Sequence, residues 1–177
     1  MNSSTLSSLL FTLFLILISH APLPTSGEIL YESLCNEAGQ DQAGCLQILK
    51  EDARFAEAKD YIKLSKLILE MGVKKGTEVQ KHLKEIMKTN PSPAITQCAT
   101  TLYDGVVGSF KSSMGELKVD GLTANYDAKV AGDGPVTCDT ALAASNIANP
   151  QIAALNKDIL LISKLAYLAT NKIPTTP

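Results

Sequence analysis

The sequence predicts an all-α fold: an up-down-up-down four-helix bundle with an N-terminal disulfide-closed helical hairpin. After residue 27, Ala, Leu, Lys, Glu and Ser dominate, and the alternation of β-branched and aromatic residues that is typical of strands is scarce. Long apolar stripes at helical spacing are separated by short breaks. Four cysteines accompany them, one pair close in sequence and one pair forty residues apart. These features favour long helices that are joined by short turns and held by disulfides.

Residues 1–27 have the pattern of a secretory signal peptide. No charged residue precedes Glu28, and the apolar run at 9–18 is too short to serve as a membrane-spanning anchor. Cleavage after Ala21 would leave the unfavourable Pro22 at the new N-terminus, so we expect cleavage directly before Glu28. In a secreted protein, an even number of cysteines indicates disulfides and not a metal or redox site.

Charge and composition argue against several classes of function. The net charge of −2 lies entirely within the mature domain, 28–177, whereas nucleic acids and anionic membranes call for a basic surface. His82 is the one histidine after the leader, and the sequence has no HExxH, GxSxG, Gly-rich phosphate loop or Cys–His zinc spacing. We therefore expect no catalytic activity, no metal or other cofactor, and no nucleic-acid or membrane partner.

The segment 28–53 is predicted to form the helical hairpin. Its apolar residues suit two short helices, and the glycine-bounded stretch 39–44 supplies the bend between them. A disulfide between Cys35 and Cys45 would close the hairpin on itself. In the chain-entropy model, a loop of this size contributes roughly 3 kcal/mol to stability.

The bundle is predicted to occupy 57–173. Its first helix spans 57–88, and we expect a kink or fraying at 72–76, because that stretch holds two glycines that each cost roughly 1 kcal/mol. The Asn-Pro-Ser-Pro run at 90–93 ends this helix. The second bundle helix follows at 94–118, with its apolar residues at helical spacing.

The third bundle segment spans 122–146 and is interrupted by Gly-Asp-Gly-Pro at 132–135. The proline either kinks the helix or begins a new one at Val136. A disulfide between Cys98 and Cys138 would tie the second and third segments together as neighbouring antiparallel helices and contribute roughly 4 kcal/mol. The other two pairings of the four cysteines remain open, and they would require the hairpin to fold back onto the bundle.

The final helix has the clearest signal. Asn149 is a favourable N-cap, and Pro150 suits the first helical position because its missing N–H would be unsatisfied there anyway. An apolar stripe then follows at steps of three and four: Ile152, Leu155, Ile159, Ile162, Ala166, Ala169 and Ile173. Four polar residues are predicted to lie off this buried stripe: Asn156, Lys157, Lys164 and Asn171.

Three local runs carry a resemblance to a known protein family. The run Cys-Leu-Gln-x-Leu-x-x-Asp-Ala-Arg at 45–54 has Ala53 where the family has the proline of Asp-Pro-Arg. After the third cysteine comes the Tyr-Asp pair at 103–104, with the tyrosine one position late, and Val-Thr-Cys-Asp stands at 136–139. The family's threonine and proline between the first two cysteines are missing. With the cysteine layout, these runs resemble the plant invertase and pectin methylesterase inhibitor family over essentially the whole mature chain.

The resemblance implies a secreted protein of the plant cell wall (the apoplast) or the vacuole. Such a protein binds a carbohydrate-active enzyme, in a one-to-one complex, and blocks its active-site cleft. Invertase inhibitors of this family present Pro-Lys-Phe at the turn before the helix of the fourth cysteine, where residues 121–123 are Gly-Leu-Thr in this chain. Pectin methylesterase is therefore the favoured target, and acid invertase is the alternative.

The same resemblance implies a partner-binding surface around the second disulfide. Pectin methylesterase inhibitors of the family use acidic and hydroxyl side chains there, and Asp104 and Thr137 match in kind. Thr100 and Thr140 stand where acids are common, and Asp139 is adjacent to the latter. Two other classes of function remain open. One is a secreted helical carrier of an apolar ligand, and the other is an allergen-like protein that keeps the fold without inhibiting an enzyme.

Overall fold

The computed structural model describes residues 29–174, which form helices joined by short turns and contain no strand. The predicted leader at 1–27 lies outside these residues. The α-helices of the described part are α1 (Leu30–Glu37), α2 (Gln42–Lys50), α3 (Tyr61–Thr89), α4 (Pro93–Gln97), α5 (Tyr103–Glu116), α6 (Gly121–Val130), α7 (Asp133–Ala144) and α8 (Pro150–Thr170). Helices α4 and α5 are joined by a π-helical stretch at Cys98–Leu102. These three form one continuous rod at 93–116, called helix B below.

Four long elements form a bundle around one apolar core. Helix α3 packs against helix B and α8, and α6 packs against the same two helices. Because the connections between successive elements are short, neighbouring helices run antiparallel. The core takes large side chains from different helices, among them Leu67, Phe110 and Ile159, which are almost completely buried. The predicted all-α fold is confirmed.

The N-terminal hairpin consists of α1 and α2, which are joined by a 3₁₀ turn at Gly39–Asp41. Gly39 has φ +64°, a left-handed conformation that glycine adopts without steric cost. A disulfide joins Cys35 and Cys45, with their Cα atoms 5.4 Å apart, which is the predicted pairing. The short helices are thus closed on themselves before they meet the bundle.

Lysines of the last helix region attach the hairpin to the bundle. Lys164 Nζ donates to the carbonyl oxygen of Ala38 at 2.8 Å and to Asp41 Oδ2 at 2.6 Å. Nearer the C-terminus, Lys172 Nζ lies 2.8 Å from Glu37 Oε1. Each of these contacts joins residues that are more than one hundred positions apart in the sequence. They hold the N-terminal hairpin against the C-terminal helix.

Helix α3 continues without interruption through 72–76, where the sequence predicted a kink or fraying. The two glycines of this stretch face helix B. A Cβ atom on Gly72 would lie 2.8 Å from the ring of Phe110, and one on Gly76 would lie 3.3 Å from Val107. The glycines therefore permit close helix packing, and this packing offsets their low helix propensity.

The interrupted third segment divides into α6 and α7, but α7 begins at Asp133 and not at Val136. Pro135 lies in the first turn of α7, where an N–H group would have no intrahelical acceptor. A Cβ atom on Gly134 would lie 2.9 Å from the carbonyl oxygen of Leu102. This glycine therefore allows the first turn of α7 to lie directly against the π-helical stretch of helix B.

Helix α8 begins as predicted. The side chain of Asn149 accepts hydrogen bonds from the N–H groups of Gln151 and Ile152, at 3.0 and 3.1 Å, and Pro150 is the first helical residue. Its apolar stripe is buried against α3 and α6. Within residues 29–174, neither this helix nor any other combines the length and the apolar character that a membrane crossing requires.

Two glycine substitutions of the same kind are expected to have opposite effects on stability. Gly108 is exposed, and a Cβ atom there would meet nothing within 4 Å, so Gly108→Ala should raise the free energy of unfolding by about 0.5–1 kcal/mol. Gly72→Ala should lower it by about 1–3 kcal/mol, because the new methyl group overlaps the ring of Phe110. Urea unfolding followed by circular dichroism measures both. Equal effects of the two substitutions would contradict the packing described for α3.

Candidate functional site

The second disulfide brings candidate residues of two helices together. Cys98 in helix B and Cys138 in α7 are bonded, as predicted, with their Cα atoms 5.1 Å apart and both side chains fully buried. Thr100 follows the first cysteine by two residues, and Thr137 directly precedes the second. Each of the two helices carries a short row of polar side chains, and the covalent link holds the helices close together at Cys98 and Cys138.

The row on helix B consists of Thr100 and Asp104, one helical turn apart. Thr100 lies in the π-helical stretch, and its hydroxyl donates to the carbonyl oxygen of Thr96 at 2.7 Å. Asp104 is exposed and accepts a hydrogen bond of 2.5 Å from Gln80 Nε2 of α3. A π-helical segment is rare and occurs frequently at functional sites. The carboxylate is held at the junction of α3 and helix B while its second oxygen faces away from this bond.

The row on α7 consists of Thr137 and Thr140, and both are exposed. Thr137 borders a groove of 180 Å³ between helix B and α7, where Thr101 and Gly105 form part of the opposite wall. Thr140 lies one turn further along, and its hydroxyl donates to the carbonyl oxygen of Val136 at 2.9 Å. Both hydroxyl oxygens retain lone pairs that can accept a hydrogen bond from a partner.

The outer face of helix B beside these rows is formed by small residues. Gly105 and Gly108 are exposed, and a Cβ atom at either position would meet nothing within 4 Å. The packing of this domain therefore does not require glycine at these positions, although each glycine costs a helix about 1 kcal/mol. Without side chains at these positions, a partner surface can approach the helix backbone closely.

Asp139 is separated from the two rows, because its side chain faces α8. Its Oδ1 accepts a hydrogen bond of 2.6 Å from Asn156 Nδ2, and Asn156 Oδ1 accepts one of 2.6 Å from the hydroxyl of Tyr103. Tyr103 and Asn156 are fully buried, so the prediction that Asn156 lies off the buried stripe is wrong. Asn156 follows Ile152 by four residues and precedes Ile159 by three, which places it on the core face of the helix.

The buried polar chain from Tyr103 to Asp139 connects helix B, α8 and α7. Burial raises the pKa of the Tyr103 hydroxyl well above its ordinary value, and the nearby Asp139 carboxylate raises it further. The hydroxyl therefore remains protonated and continues to donate to Asn156. A fully satisfied buried network of this kind fixes the relative positions of the helices that contribute to it.

The turn at 121–123 presents an exposed apolar side chain. Invertase inhibitors of the family that this sequence resembles carry Pro-Lys-Phe at this turn. Asp120 Oδ1 accepts hydrogen bonds from the N–H groups of Leu122 and Thr123, at 3.1 and 3.0 Å, and so caps α6. Leu122 is 72% exposed, and Tyr126, one turn later, is 66% exposed. The three residues of this turn thus offer a partner no cationic group.

No group of three or more His, Cys, Asp or Glu side chains within residues 29–174 is arranged to hold a metal ion. His82 is half-buried on α3, and its buried Nε2 has no hydrogen-bond partner there. The described cysteines are all consumed in the two disulfides. The groups available at the candidate site are therefore hydroxyls and carboxylates, which suit hydrogen bonding to a partner.

Sequence reasoning missed three residues that organise the site: Gln80, Tyr103 in its role as a buried donor, and Asn156. The spacing of Asn156 within the apolar stripe was a usable signal, because a polar residue on a core face must find a partner. The contact between Gln80 and Asp104 had no comparable signal. It depends on the register with which α3 packs against helix B, and local sequence patterns do not set that register.

The raised pKa of Tyr103 leads to a prediction about pH. At neutral pH, Tyr103→Phe should lower the free energy of unfolding by about 1–2 kcal/mol, because Asn156 loses a buried hydrogen bond. Above about pH 10 the unfolded chain ionises this tyrosine and the folded chain does not, so the stability due to the hydroxyl decreases as pH rises. The difference between parent and variant should therefore become smaller between about pH 9 and 11.5.

Urea unfolding across this pH range tests the prediction, and the exposed Tyr126→Phe is the matched control. The difference in the free energy of unfolding between Tyr126→Phe and the parent should be small and independent of pH, because the Tyr126 side chain is exposed to solvent in the folded domain as well. The other ionisable groups are the same in all three proteins, so their contributions cancel in the comparison. If the free energies of unfolding of the parent and of Tyr103→Phe differ by the same amount at every pH, then the conclusion that the buried Tyr103 hydroxyl stays protonated is wrong.

Comparison with known proteins gives matches at the level of structure. No protein-family model and no curated protein matches this sequence. A mutant form of a pectin methylesterase inhibitor from Arabidopsis is similar in structure, with a TM-score of 0.73 and 20% sequence identity over 84% of this chain and 100% of that chain. A pectin methylesterase inhibitor from Arabidopsis thaliana has a TM-score of 0.62 and 20% identity over 87% of this chain and 100% of that chain. This chain therefore has the helical-bundle fold of the pectin methylesterase inhibitors.

Proposed function

We propose that this chain is a secreted protein inhibitor of pectin methylesterase and a member of the plant invertase and pectin methylesterase inhibitor family. The observation that carries the proposal is the structural similarity, which extends over 84% of this chain and the whole of a pectin methylesterase inhibitor. The family-like sequence runs and the formation of both disulfides support it. In this proposal the partner is an extracellular enzyme of the plant cell wall, bound in a one-to-one complex.

The proposed contact surface is the pair of polar rows beside Cys98–Cys138. Asp104 belongs to the row on helix B, and Thr137 belongs to the row on α7, where it borders the groove that Gly105 of helix B also lines. The inhibitor would cover the substrate cleft of the enzyme sterically and would not imitate the substrate. The disulfide fixes the rows before binding, which lowers the entropic cost of forming the complex. The small residues of helix B would allow close contact between the two proteins.

The energetics of such a complex follow from the charges available. A net charge of −2 provides little long-range attraction, so association should depend on packing and on short polar contacts. In an interface of this type, a few central residues contribute most of the binding energy, and charges at the rim contribute little. Asp104 is a strong candidate for a central position, because Gln80 orients its carboxylate at the surface.

Pectin methylesterase is preferred to acid invertase because of the exposed turn at 121–123. The family's invertase inhibitors offer a lysine and an aromatic ring at this turn, whereas this chain offers Leu122 and uses Asp120 to cap a helix. A cation that could enter an acidic sugar site is missing from these three positions. The polar rows around the second disulfide match the type of side chain that the family's pectin methylesterase inhibitors use.

Inhibition assays against both enzymes test the choice of target. The refolded, oxidised domain should inhibit a plant pectin methylesterase and leave an acid invertase unaffected at the same concentration. Release of methanol from pectin and hydrolysis of sucrose measure the two activities, and the reduced, alkylated protein serves as the inactive control. Inhibition of the invertase alone would show that the turn at 121–123 does not determine the target. Inhibition of neither enzyme would reject the proposed function.

The location of the surface is tested by the double substitution Asp104→Ala with Thr137→Ala. Loss of two central polar contacts should raise the inhibition constant by about tenfold to a hundredfold, since central interface residues contribute about 1–3 kcal/mol each and are not additive. Asp158→Ala is the matched control, because it removes a carboxylate from the exposed face of α8. The helical circular dichroism spectrum should be unchanged in both variants. A double variant that inhibits as well as the parent would place the inhibitory surface elsewhere.

A further inference from the structure

A second concave site lies between the end of α7 and the start of α8. It is a cleft of 620 Å³ with mainly apolar and small side chains on its walls and one ionisable residue, Asp139. Its walls include the apolar residues Leu142, Ile147, Pro150 and Ala153, together with the amide side chains of Asn146 and Asn149. This cleft is distinct from the groove beside Thr137, which lies on the opposite side of α7 against helix B. Largely apolar walls with a few placed polar groups, of which one is charged, are typical of a site that binds one specific chemical group.

The cleft is a product of the way α7 ends. Asn146 has φ +55°, a left-handed conformation that asparagine tolerates better than most residues. The N–H of Ile147 donates to the carbonyl oxygen of Leu142 at 2.9 Å, and the N–H of Asn146 donates to that of Ala143 at 3.0 Å. These two bonds define a Schellman motif, in which the residue after the turn commonly packs on the last helical turn. The motif turns the chain sharply, so that Ile147 and Leu142 line one hollow.

The charge at the cleft favours a cation. Asp139 is half-buried, and the bond from Asn156 Nδ2 to its Oδ1 fixes the carboxylate, since Tyr103 in turn fixes the amide. The negative end of the α7 dipole and the positive end of the α8 dipole meet at this cleft and offset each other, so the charge there is that of the Asp139 carboxylate. At the start of α8, the N–H groups of Gln151 and Ile152 are already satisfied by the side chain of Asn149, so they do not provide an anion site.

We propose that this cleft receives a lysine or arginine side chain of the protein partner, with its aliphatic stem along Leu142 and Ile147 and its cationic head at Asp139. Long basic side chains bury their methylene groups on apolar surfaces and keep the charge at a polar group. This inference rests on the proposed function, because the partner is the inhibited enzyme. Ala143, which lines the cleft, follows Thr140 by three residues and so lies beside it on the surface of α7, and the cleft therefore borders the row that contains Thr137 and Thr140. It adds a charged anchor at the edge of that surface.

The open shape of the cleft favours a side chain of a docked protein over a free amine as its occupant. The cleft is open to solvent and offers a single charged group, so a free small cation would bind weakly. A side chain carried by a docked protein does not pay a separate translational and rotational cost, and the same contacts then contribute fully to affinity. The site therefore acts as a specificity element of a larger interface.

The first experiment measures binding of the oxidised domain to pectin methylesterase at low and at physiological salt. Asp139→Asn keeps an oxygen that can accept the bond from Asn156 but removes the charge. The dissociation constant should rise about tenfold at low salt, and its dependence on salt should become weaker than in the parent. Asp158→Asn, which makes the same charge change on the exposed face of α8, should bind as the parent does. If Asp139→Asn binds with the affinity and salt dependence of the parent, the proposal is overturned.

A second experiment is independent of the enzyme. The domain is labelled with ¹⁵N and titrated with N-acetyl-lysine methylamide, and N-acetyl-norleucine methylamide serves as the uncharged control. The lysine compound should cause saturable shifts at Leu142, Ile147 and Ala153, the norleucine compound should cause much smaller ones, and Asp139→Asn should abolish the difference. Equal shifts with both compounds, or none at the cleft, would overturn the proposal. If the parent does not bind the enzyme at all, the proposed function fails, and this titration still decides whether the cleft binds a basic side chain.

Discussion

The close contact between α7 and helix B is the constraint on which the candidate site depends. The disulfide Cys98–Cys138 fixes the two backbones 5.1 Å apart at their Cα atoms, and Gly134 has no side chain that would separate them one turn earlier. A larger residue at Gly134 would meet the carbonyl of Leu102 and push the helices apart. Without this contact, the groove between the helices, which Thr137 borders, would have a different shape.

The polar interior has a complementary role. Most of the core is apolar and could tolerate small shifts between helices, because apolar contacts are not directional. The chain of hydrogen bonds through Tyr103, Asn156 and Asp139 permits one arrangement, since each bond requires a particular distance and orientation. This chain begins in helix B, crosses α8 and ends at the surface of α7. One network thereby sets both the register of three helices and the position of a half-buried carboxylate.

Much of the fold could be predicted from the sequence, because helical periodicity and capping are local. Asn149 and Pro150 start α8 where expected, and the two disulfides join the cysteines that local pairing favoured. The errors concern packing between helices. The low helix propensity of glycine predicted a weak point in α3 at Gly72. In the structure, Gly72 is the place where the ring of Phe110 packs against α3. The sequence offered a kink at the proline or a new helix from Val136, and neither option used the first-turn position of α7 that Pro135 occupies.

The candidate site was only partly accessible from sequence for the same reason. The resemblance to an inhibitor family selected residues near the second disulfide, and four of them lie on two neighbouring rows. Asp139 was grouped with them because of its position in the sequence, but it faces the other side of α7. Direction around a helix changes by about 100° per residue, so adjacent residues rarely share a partner. Only the three-dimensional packing separates the groove beside Thr137 from the cleft beside Asp139.

The glycines on the outer face of helix B also have a consequence for how the protein matures. A peptide with Gly105, Gly108 and Gly115 would form little helix in isolation, because each glycine adds about 1 kcal/mol to an already unfavourable nucleation. The rod therefore takes its shape from α3 and from the covalent link to α7. A newly synthesised chain whose thiols are still reduced lacks that link, so the surface offered to a partner is completed by oxidation. The timing of thiol oxidation thus determines when helix B and α7 reach the relative position described above.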